Sequence, residues 1–586
     1  MPSIDISDFS GGKNVADSQI LVGQNQCVSS ASKNVWAPNK TLTKMPGVTI
    51  AYTTTATGCN FFQGTCLYSD DILTSAASMY VRCTKTATGG GAMGEYLHGL
   101  ESGVLKAYGY TTGTVAVGGV SATGSATTWT THVTAGDIFG ASATPNSWQV
   151  ISSVEDNTHL TLAAGVTAAV GAGSAYTVQQ GMTRVEVAWA SIVATADRYI
   201  INSSEADWMQ VTTTAGTLRL QSAPRVAYLA THKNYVFGSR TTTAQSRVYW
   251  SALKDPLTWP ATNFLDVGQD KITGMISYAG ELIVFQTRGM SKVLGEIFDP
   301  ANPTFSVSRI ATPGSFAFNS NWSAAVHNGA LIFFAMGRFY QYIVGTSAIQ
   351  EISRPILADL PSAFTGPSSV AAIEQRMHAI SFNGYYICKG LQYVSGEPTI
   401  RAYVLDRNNA WWLYADSTAQ NTSRGPLGQT PMVVETLTSS PPRLVTVNDG
   451  GSAGDGRFYE IDFKDPAPFE DQFLENDDGT STRPVESLWL SKEFNIDYGH
   501  FRDVTVYLKK QSAGNLNVGW LVDQAAIVTA NIDMTAGRGD LIRAVLPINQ
   551  NGSTIQLRLK HDTSDQTFEV FAIRVLYDLI QEDRKR

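Results

Sequence analysis

Short apolar runs, several of them closed by a turn signal, recur through the middle of the chain. They are NYVFGSR from Asn234, ELIVFQTRGMSKVLG from Glu281, ALIFFAMGRFYQYIVG from Ala330, GYYICKG from Gly384 and RLVTVNDGG from Arg443. Their anchor residues lie 47, 49, 54 and 59 residues apart, in the order Tyr235, Leu282, Leu331, Tyr385 and Leu444. A repeat of roughly 40–50 residues built from short strands is typical of β-propeller blades. The pattern therefore predicts a β-propeller, formed by residues 59–102 and 181–463.

Residues 103–180 differ from the flanking repeats, being rich in Thr, Ala, Gly and Val and poor in Lys and Arg. Short β-favouring runs alternate there with turn residues, which is the pattern of consecutive short strands. We predict a small β-barrel that is inserted into the propeller. Its expected core consists of the large apolar residues of the segment, Trp129, Ile138, Phe139, Trp148, Leu160 and Tyr176.

The chain beyond the propeller divides into a linker and a further domain. Residues 464–484 contain three prolines, six acidic residues and a DDG turn, which predicts an acidic linker or loop. Residues 485–586 contain six runs in which apolar and polar positions alternate. A period of two over several short strands predicts a C-terminal β-sandwich.

The first 58 residues show little periodicity and carry turn signals at Gly11-Gly12 and Pro46-Gly47. We predict an N-terminal arm with the first strands, in which a strand wraps a neighbour. Helical periodicity is weak throughout, and Ser368–Ile380 is the stretch most compatible with a helical turn or two. The predicted fold class is all-β.

Composition narrows the function classes. The 586 residues suggest three or four domains by length, and 43% are hydrophobic, which is enough to bury cores. A formal net charge of −8 argues against a protein that binds nucleic acid through a basic surface. An acidic protein still suits a channel through which DNA slides without sticking. A run of about 18 apolar residues is missing, and so is the pattern of a secretion signal, so we expect no membrane span and no secretion.

The five cysteines, Cys27, Cys59, Cys66, Cys83 and Cys388, lack a CxxC pair and zinc-ligand spacing. We expect reduced, mostly buried thiols, although one or two bridges among the first four are geometrically conceivable. Reduced thiols are consistent with assembly in a cytoplasm.

Few motifs point to chemistry. Gly450–Gly454 match the G-x-S-x-G pattern of a nucleophile elbow, but the following GRFYEIDF predicts a strand where that elbow needs a helix. The eight histidines are scattered singly, without metal-ligand spacing. Asp255, Asp266 and Asp270 lie near Trp250 and Trp259, a combination that binds sugars in some proteins and forms ordinary surface turns in others.

The linker carries the candidate site of this sequence. Its carboxylates are candidates for a channel-facing acidic loop and, less favoured, for a calcium site: Glu470, Asp471, Glu475, Asp477 and Asp478. The sequence otherwise predicts no catalytic residues, no cofactor and no metal, and therefore a protein that is not an enzyme.

Several segments together resemble the tail nozzle (tail tube) proteins of short-tailed bacteriophages. They are FSGGKNV at Phe9–Val15, NVWAPN at Asn34–Asn39, TKMPG at Thr43–Gly47, the blade region Val248–Gly295 and the ending with VLPINQNG and IQLRLKHDTSDQTFEVFAIRVLY. Met45 stands where that family usually has an arginine. The insertion TGTVAVGGVSATGSATTWTTHVTAGDIF is similar to a small β-barrel found in many phage tail proteins. The resemblance covers most of the chain, and no single motif in it is as specific as a metal signature.

The resemblance implies a structural virion protein of a phage tail, assembled in the cytoplasm of the bacterial host. Such a protein forms a homohexameric ring below the portal and adaptor (head-to-tail connector) rings. Double-stranded DNA passes through the ring during ejection without sequence-specific binding, and tail fibres or tip proteins attach outside. Two alternatives stay open from the residues alone: a tail component that binds or cleaves glycans, and a cellular β-propeller interaction scaffold.

Overall fold

The structure is a computed structural model, and strands make up almost all of its regular secondary structure. It describes residues 2–15, 17, 22–28, 32–37, 39–45, 48–57, 61–68, 78–86, 93–101, 104–142, 148–166, 168–179, 181–182, 191–194, 200–203, 209–213, 216–220, 222–296, 304–312, 318, 321–346, 349–360, 377–394, 397–415, 432–435, 442–448, 455–461, 472–474, 482–484, 486–537, 539–563 and 566–580. Within these ranges the helices are single turns, α1 (Trp129–His132) and the 3₁₀ turns Asn321–Ser323 and Arg354–Ile356. None of them is long and apolar enough to cross a membrane. The predicted all-β class is confirmed.

The chain starts with three short strands that lie outside the propeller. They are β1 (Ser3–Ile6), β2 (Val35–Trp36) and β3 (Leu42–Lys44). Strands β1 and β3 both pair with the last strand of the same chain. The N-terminal segment therefore packs on its own subunit, at the C-terminal domain.

Seven sheets among the described residues form the propeller, and the predicted propeller is confirmed. The strand β4 (Val48–Thr57) precedes the first blade and belongs to the last. Blade 1 contains β5 (Phe61–Tyr68), β6 (Ser78–Thr86), β7 (Met93–Glu101) and β8 (Val104–Tyr108).

The insertion follows β8 and consists of seven strands. They are β9 (Thr114–Gly118), β10 (Ser121–Ser125), β11 (Ile138–Gly140), β12 (Gln149–Val154), β13 (His159–Leu162), β14 (Val170–Ser174) and β15 (Thr177–Gln179). A bridge between Tyr110, just before β9, and Val178 in β15 joins the last strand to the start of the insertion and closes a barrel. All six predicted core residues are buried. Because β8 pairs with β7 of the propeller, the insertion begins after Tyr108 and not at residue 103.

The chain returns to blade 1 through β16 (Gly181–Met182), which also pairs with β7. Blade 2 contains β17 (Ser191–Ala194), β18 (Ile200–Ser203), β19 (Met209–Thr213) and β20 (Gly216–Leu220). Blade 3 contains β21 (Tyr228–His232), β22 (Tyr235–Ser239), β23 (Arg247–Trp250) and β24 (Phe264–Asp266). Blade 4 contains β25 (Ile272–Tyr278), β26 (Glu281–Gln286), β27 (Gly289–Glu296) and β28 (Thr304–Ile310).

The remaining blades complete the circle. Blade 5 contains β29 (Ala325–His327), β30 (Ala330–Ala335), β31 (Arg338–Tyr342) and β32 (Ile349–Glu351). Blade 6 contains β33 (His378–Phe382), β34 (Tyr385–Val394), β35 (Glu397–Leu405) and β36 (Trp411–Ala415). Blade 7 contains β37 (Met432–Glu435), β38 (Arg443–Asn448) and β39 (Asp455–Ile461), and β4 adds the fourth strand by pairing with β39. Contact between β37 and β5 closes the ring.

The repeated sequence pattern corresponds to one hairpin per blade. In blades 3 to 6 the first and second strands are joined by two-residue turns with positive φ at both positions, namely Lys233-Asn234, Ala279-Gly280, Asn328-Gly329 and Asn383-Gly384. This is the type I′ geometry, whose twist matches that of paired strands and which favours Asn and Gly. The five anchor residues are all buried in the second strands of blades 3 to 7. The helical turn expected within Ser368–Ile380 is wrong for the residues that the structure describes, because His378–Ile380 lie in β33.

A small hairpin, β40 (Gln472–Leu474) with β41 (Thr482–Pro484), leads to the C-terminal domain. That domain contains β42 (Ser487–Leu490), β43 (Phe494–Lys509), β44 (Asn515–Val522), β45 (Val528–Asp533), β46 (Leu541–His561) and β47 (Glu569–Leu579). These strands and β1–β3 form one hydrogen-bonded sheet of nine strands. The first part of β46 pairs with β43 and its second part pairs with β44. The separate sheets of a β-sandwich are therefore not confirmed, although both halves of the sheet share one core.

Candidate functional site

The candidate site from the sequence, the acidic loop, lies outside the described residues. This applies to Glu470, Asp471, Glu475, Asp477 and Asp478 alike. Of residues 470–478, only β40 (Gln472–Leu474) is described. The G-x-S-x-G segment at 450–454 lies outside them as well. The role of these carboxylates stays a prediction.

The segments that carry the family resemblance do have a defined place. Phe9–Val15 and residues 32–37, together called the N-terminal seam, lie between blade 6 and the C-terminal sheet. The backbone N–H groups of Lys13 and Asn34 donate to the carbonyl oxygens of Trp411 and Leu413, at 2.8 Å each. On the other side, the N–H of Lys33 donates to Leu488 in β42 at 2.9 Å. The seam thus ties the propeller to the C-terminal domain through backbone hydrogen bonds.

A buried ion pair lies at the centre of the seam. Lys13 Nζ lies 2.7 Å from Asp359 Oδ2, and the two side chains are only 1% and 2% exposed. The same ammonium donates to the carbonyl oxygen of Ser32 at 2.9 Å. Charges this deeply buried are tolerated only when they are paired and hydrogen-bonded. The pair fixes residue 13 to the loop that follows blade 5.

A thiol is buried beside this pair. Burial raises the pKa of Cys27 to about 11, against the opposing influence of the nearby Lys13 charge. Cys388 in blade 6 is also buried, and burial raises its pKa to about 12. Thiols with such raised pKa values are protonated at neutral pH and unreactive as nucleophiles. Both residues agree with the expectation of buried thiols, whereas the side chains of Cys59, Cys66 and Cys83 lie outside the described part.

A second, partly exposed charge cluster connects the seam to the C-terminal sheet. Glu486 lies 2.7 Å from Lys33 Nζ and 3.3 Å from Lys560 Nζ. Partial burial disfavours the charged form of Glu486, but the hydrogen bonds and charges of Lys33 and Lys560 outweigh it and hold the pKa of the carboxyl below its usual range. Aromatic contacts add to this junction, because Phe9 packs edge-on against Trp489 with ring centroids 5.4 Å apart.

Neighbouring blades are joined at the hairpin turns. In blades 3, 4 and 5 the residue before the turn reaches the next blade. His232 Nδ1 lies 2.8 Å from Ser277 Oγ, the Tyr278 hydroxyl donates to Gly329 O at 2.6 Å, and His327 Nδ1 lies 3.4 Å from Ser381 Oγ. Burial lowers the pKa of His232 to about 4 and also lowers that of His327. Both imidazoles are therefore neutral at pH 7. We call these contacts the hairpin collar; they link blades 3, 4, 5 and 6 in succession.

One part of the collar places a serine, a histidine and an aspartate in proximity. Asp406 interacts electrostatically with His327, but its carboxylate already accepts hydrogen bonds from the N–H of Ala410 and from Trp412 Nε1, at 2.9 Å each. Both His327 and Asp406 are at most 2% exposed. A nucleophile and base need access to a substrate. The arrangement is therefore a structural cluster.

The other sequence candidates have structural contacts too. Asp255 Oδ1 accepts from the N–H of Leu257 at 3.0 Å, and Trp259 Nε1 donates to Pro256 O at 2.9 Å. Asp266 pairs with Arg247 at 2.9 Å. In the part of the chain that the structure describes, no three His, Cys, Asp or Glu residues converge as metal ligands. Sequence reasoning missed the Lys13–Asp359 pair, since nothing in the local sequence relates two residues so far apart.

Comparisons with known proteins give structural likeness only. No family model and no curated protein matches the chain. Similar solved structures include an exo-β-1,3-galactanase of Phanerochaete chrysosporium (12% identity, 66% of this chain and 95% of that chain, TM-score 0.22). They also include the WD40 domain of Toxoplasma gondii coronin (9% identity, 73% and 93%, TM-score 0.30) and a family 43 arabinoxylan arabinofuranohydrolase of Bacillus subtilis (8% identity, 89% and 96%, TM-score 0.22). Glycoside hydrolases are among these similar structures, which contradicts the prediction that the chain is not an enzyme.

Proposed function

We propose that this chain is a subunit of the nozzle of a short phage tail, a structural virion protein that channels DNA during ejection. The observation that carries the proposal is the combination of parts in one chain. A closed propeller bears a barrel inserted between β8 and β16, and a C-terminal β domain is locked to it by the N-terminal seam. Three of these parts, namely the seam, the insertion and the C-terminal segment, also resemble tail nozzle proteins in sequence.

The physical properties of the chain support a role in a channel wall. Strand β4 closes the propeller, and the hairpin collar and the Lys13–Asp359 pair fasten blades and domains to each other. Propellers leave only short, protected sheet edges. A body of this kind is suited to repeat around a ring without uncontrolled strand pairing.

The charge of the chain supports passage of DNA in preference to binding. Neutralised phosphates and released counterions drive protein–DNA affinity, and this requires clustered Lys and Arg. With 42 Lys and Arg against 50 Asp and Glu, the chain has a net charge of −8. In the proposed assembly the partners are further copies of the chain in a hexameric ring, the adaptor ring above and fibres or tip proteins outside, all within the tail of the virion.

Ring formation on an adaptor tests the proposal. The purified chain is mixed with the head-to-tail adaptor ring of a short-tailed phage and the masses are measured by mass photometry. We expect a complex that adds six chains to the adaptor ring. A chain that stays monomeric at every concentration, with and without the adaptor, contradicts the proposal.

An assay for released reducing sugar on host polysaccharide belongs beside this experiment, since glycoside hydrolases share the propeller fold. If the chain cleaves polysaccharide and forms no ring, the nozzle proposal is wrong and the chain is a glycan-cleaving tail component.

A further inference from the structure

A small cavity opens between blades 4 and 5. Its volume is about 250 Å³, and its polar lining residues are Lys292 and Arg309 of blade 4 with Tyr342 and Thr346 of blade 5. The cavity is large enough for several waters or one small organic molecule. It lies outside the seam and the collar contacts described above.

Tyr342 contributes a phenol to this cavity. The residue is only 3% exposed and lines the cavity. The neighbouring Tyr278, with its ring centroid 6.1 Å away, donates its hydroxyl to Gly329 O at 2.6 Å. Burial, and after it the nearby charge of Glu281, raise the pKa of Tyr342, so the hydroxyl keeps its proton.

Lys292 supplies further donors. Its ammonium lies 2.7 Å from Glu281 Oε1, and this hydrogen bond raises the pKa of Lys292, so the amine stays charged. An ammonium has three N–H donors, and Glu281 takes one of them. Two donors are left for a ligand in the cavity.

Arg309 supplies the uncompensated charge. Glu281 offsets the charge of Lys292, whereas Arg309 has no carboxylate within ion-pair distance among the described residues. One N–H of its guanidinium donates to Arg288 O at 3.2 Å. Thr346 already donates its hydroxyl to Ile343 O at 2.7 Å. The lining is therefore rich in donors and carries one net positive charge.

We propose that this cavity is a binding site for a small organic oxyanion, a carboxylate or a phosphate ester, held by Lys292, Arg309 and Tyr342. Charged acceptors make stronger hydrogen bonds to such donors than neutral ones do. The site is independent of the nozzle proposal, because it requires only the two blades of a single chain.

Isothermal titration calorimetry with three probes of similar size tests the site. The probes are D-glucuronate, glucose 6-phosphate and, as the neutral control, glucose. We expect at least one anion to bind ~10-fold or more tightly than glucose, as charged hydrogen bonds predict. Binding of glucuronate alone identifies a carboxylate site, and binding of glucose 6-phosphate alone identifies a phosphate site.

Variants locate the binding. Arg309→Gln and Tyr342→Phe are each expected to weaken the preferred anion about 5-fold or more. Arg247→Gln is the matched control, since that arginine pairs with Asp266 on blade 3. The melting temperature of each variant is measured first and should equal that of the wild type, so that a change in binding is not caused by unfolding. Anions that bind no better than glucose, or variants that bind them as the wild type does, overturn the proposal.

Discussion

Removal of the carboxylate of Asp359 is expected to loosen the N-terminal seam from the propeller. Asp359→Asn leaves the ammonium of Lys13, whose side chain is 1% exposed, without its charged partner. Breaking one partner of a buried ion pair costs about 3–5 kcal/mol. Since every ~1.4 kcal/mol is a factor of ten, local opening of the seam should become roughly 100- to 4,000-fold more frequent.

Amide hydrogen exchange of peptides that cover residues 11–15 measures this opening directly. The N–H groups of Lys13, Asn14 and Val15 donate to Trp411, Cys27 and Pro355, so their exchange requires the seam to open. Peptides from blade 3 serve as the internal reference and should exchange as in the wild type. The local readout is preferable to a global one because a chain with several domains does not unfold in two states.

Two further variants make the experiment specific. Lys40→Met removes the 3.5 Å pair with Asp8, in which the lysine is 70% exposed, and should change exchange little because exposed pairs contribute about 0–1 kcal/mol. The double variant Lys13→Met, Asp359→Leu removes both charges and should restore most of the protection. Unchanged exchange at residues 11–15 in Asp359→Asn refutes the reasoning.

Three other predictions concern the collar, the turns and the barrel. Burial lowers the pKa of His232 and His561 to about 4 and that of His378 to about 3. Each histidine therefore contributes stability that is present above its unfolded pKa of ~6.5 and is lost as the pH falls towards 4. The melting temperature should decrease between pH 7 and 4.5, and should decrease less in His232→Gln; a melting temperature that does not change with pH would contradict this. Gly329 has φ +77, and a Cβ added there would have no atom within 4 Å, so Gly329→Ala should cost about 1–2 kcal/mol of stability by backbone strain alone. Gly118 in the barrel has equally free space but no positive φ, so Gly118→Ala should leave the melting temperature almost unchanged. The Tyr176 hydroxyl donates to Thr112 O at 2.6 Å and accepts from Trp129 Nε1 at 3.0 Å. Tyr176→Phe removes both hydrogen bonds and should lower the stability of the barrel by about 1–3 kcal/mol. An unchanged melting temperature would contradict a structural role of this hydroxyl.

The sequence predicted those parts of the fold that depend on local pattern. The anchors from Tyr235 to Leu444 mark second strands because a type I′ turn of Asn or Gly precedes most of them, and such turns are legible in the sequence. Trp129 and Tyr176 were predictable as barrel core because large aromatic residues in a polar segment need burial.

Features that depend on distant partners were not predictable in this way. The pairing of β4 with β39, the single C-terminal sheet and the Lys13–Asp359 pair each join residues far apart in the chain. The same applies to the cavity at Tyr342, since its lining residues come from two different blades. The acidic loop at 470–478 is predicted from its composition alone, and its five carboxylates lie outside the described residues.

Cryo-electron microscopy of the complex with an adaptor ring tests the central claim most directly. The account predicts a closed ring of six chains below the adaptor, with the propellers around a passage wide enough for double-stranded DNA. Particles that show single chains beside a bare adaptor ring, or a ring without an open passage, would contradict it.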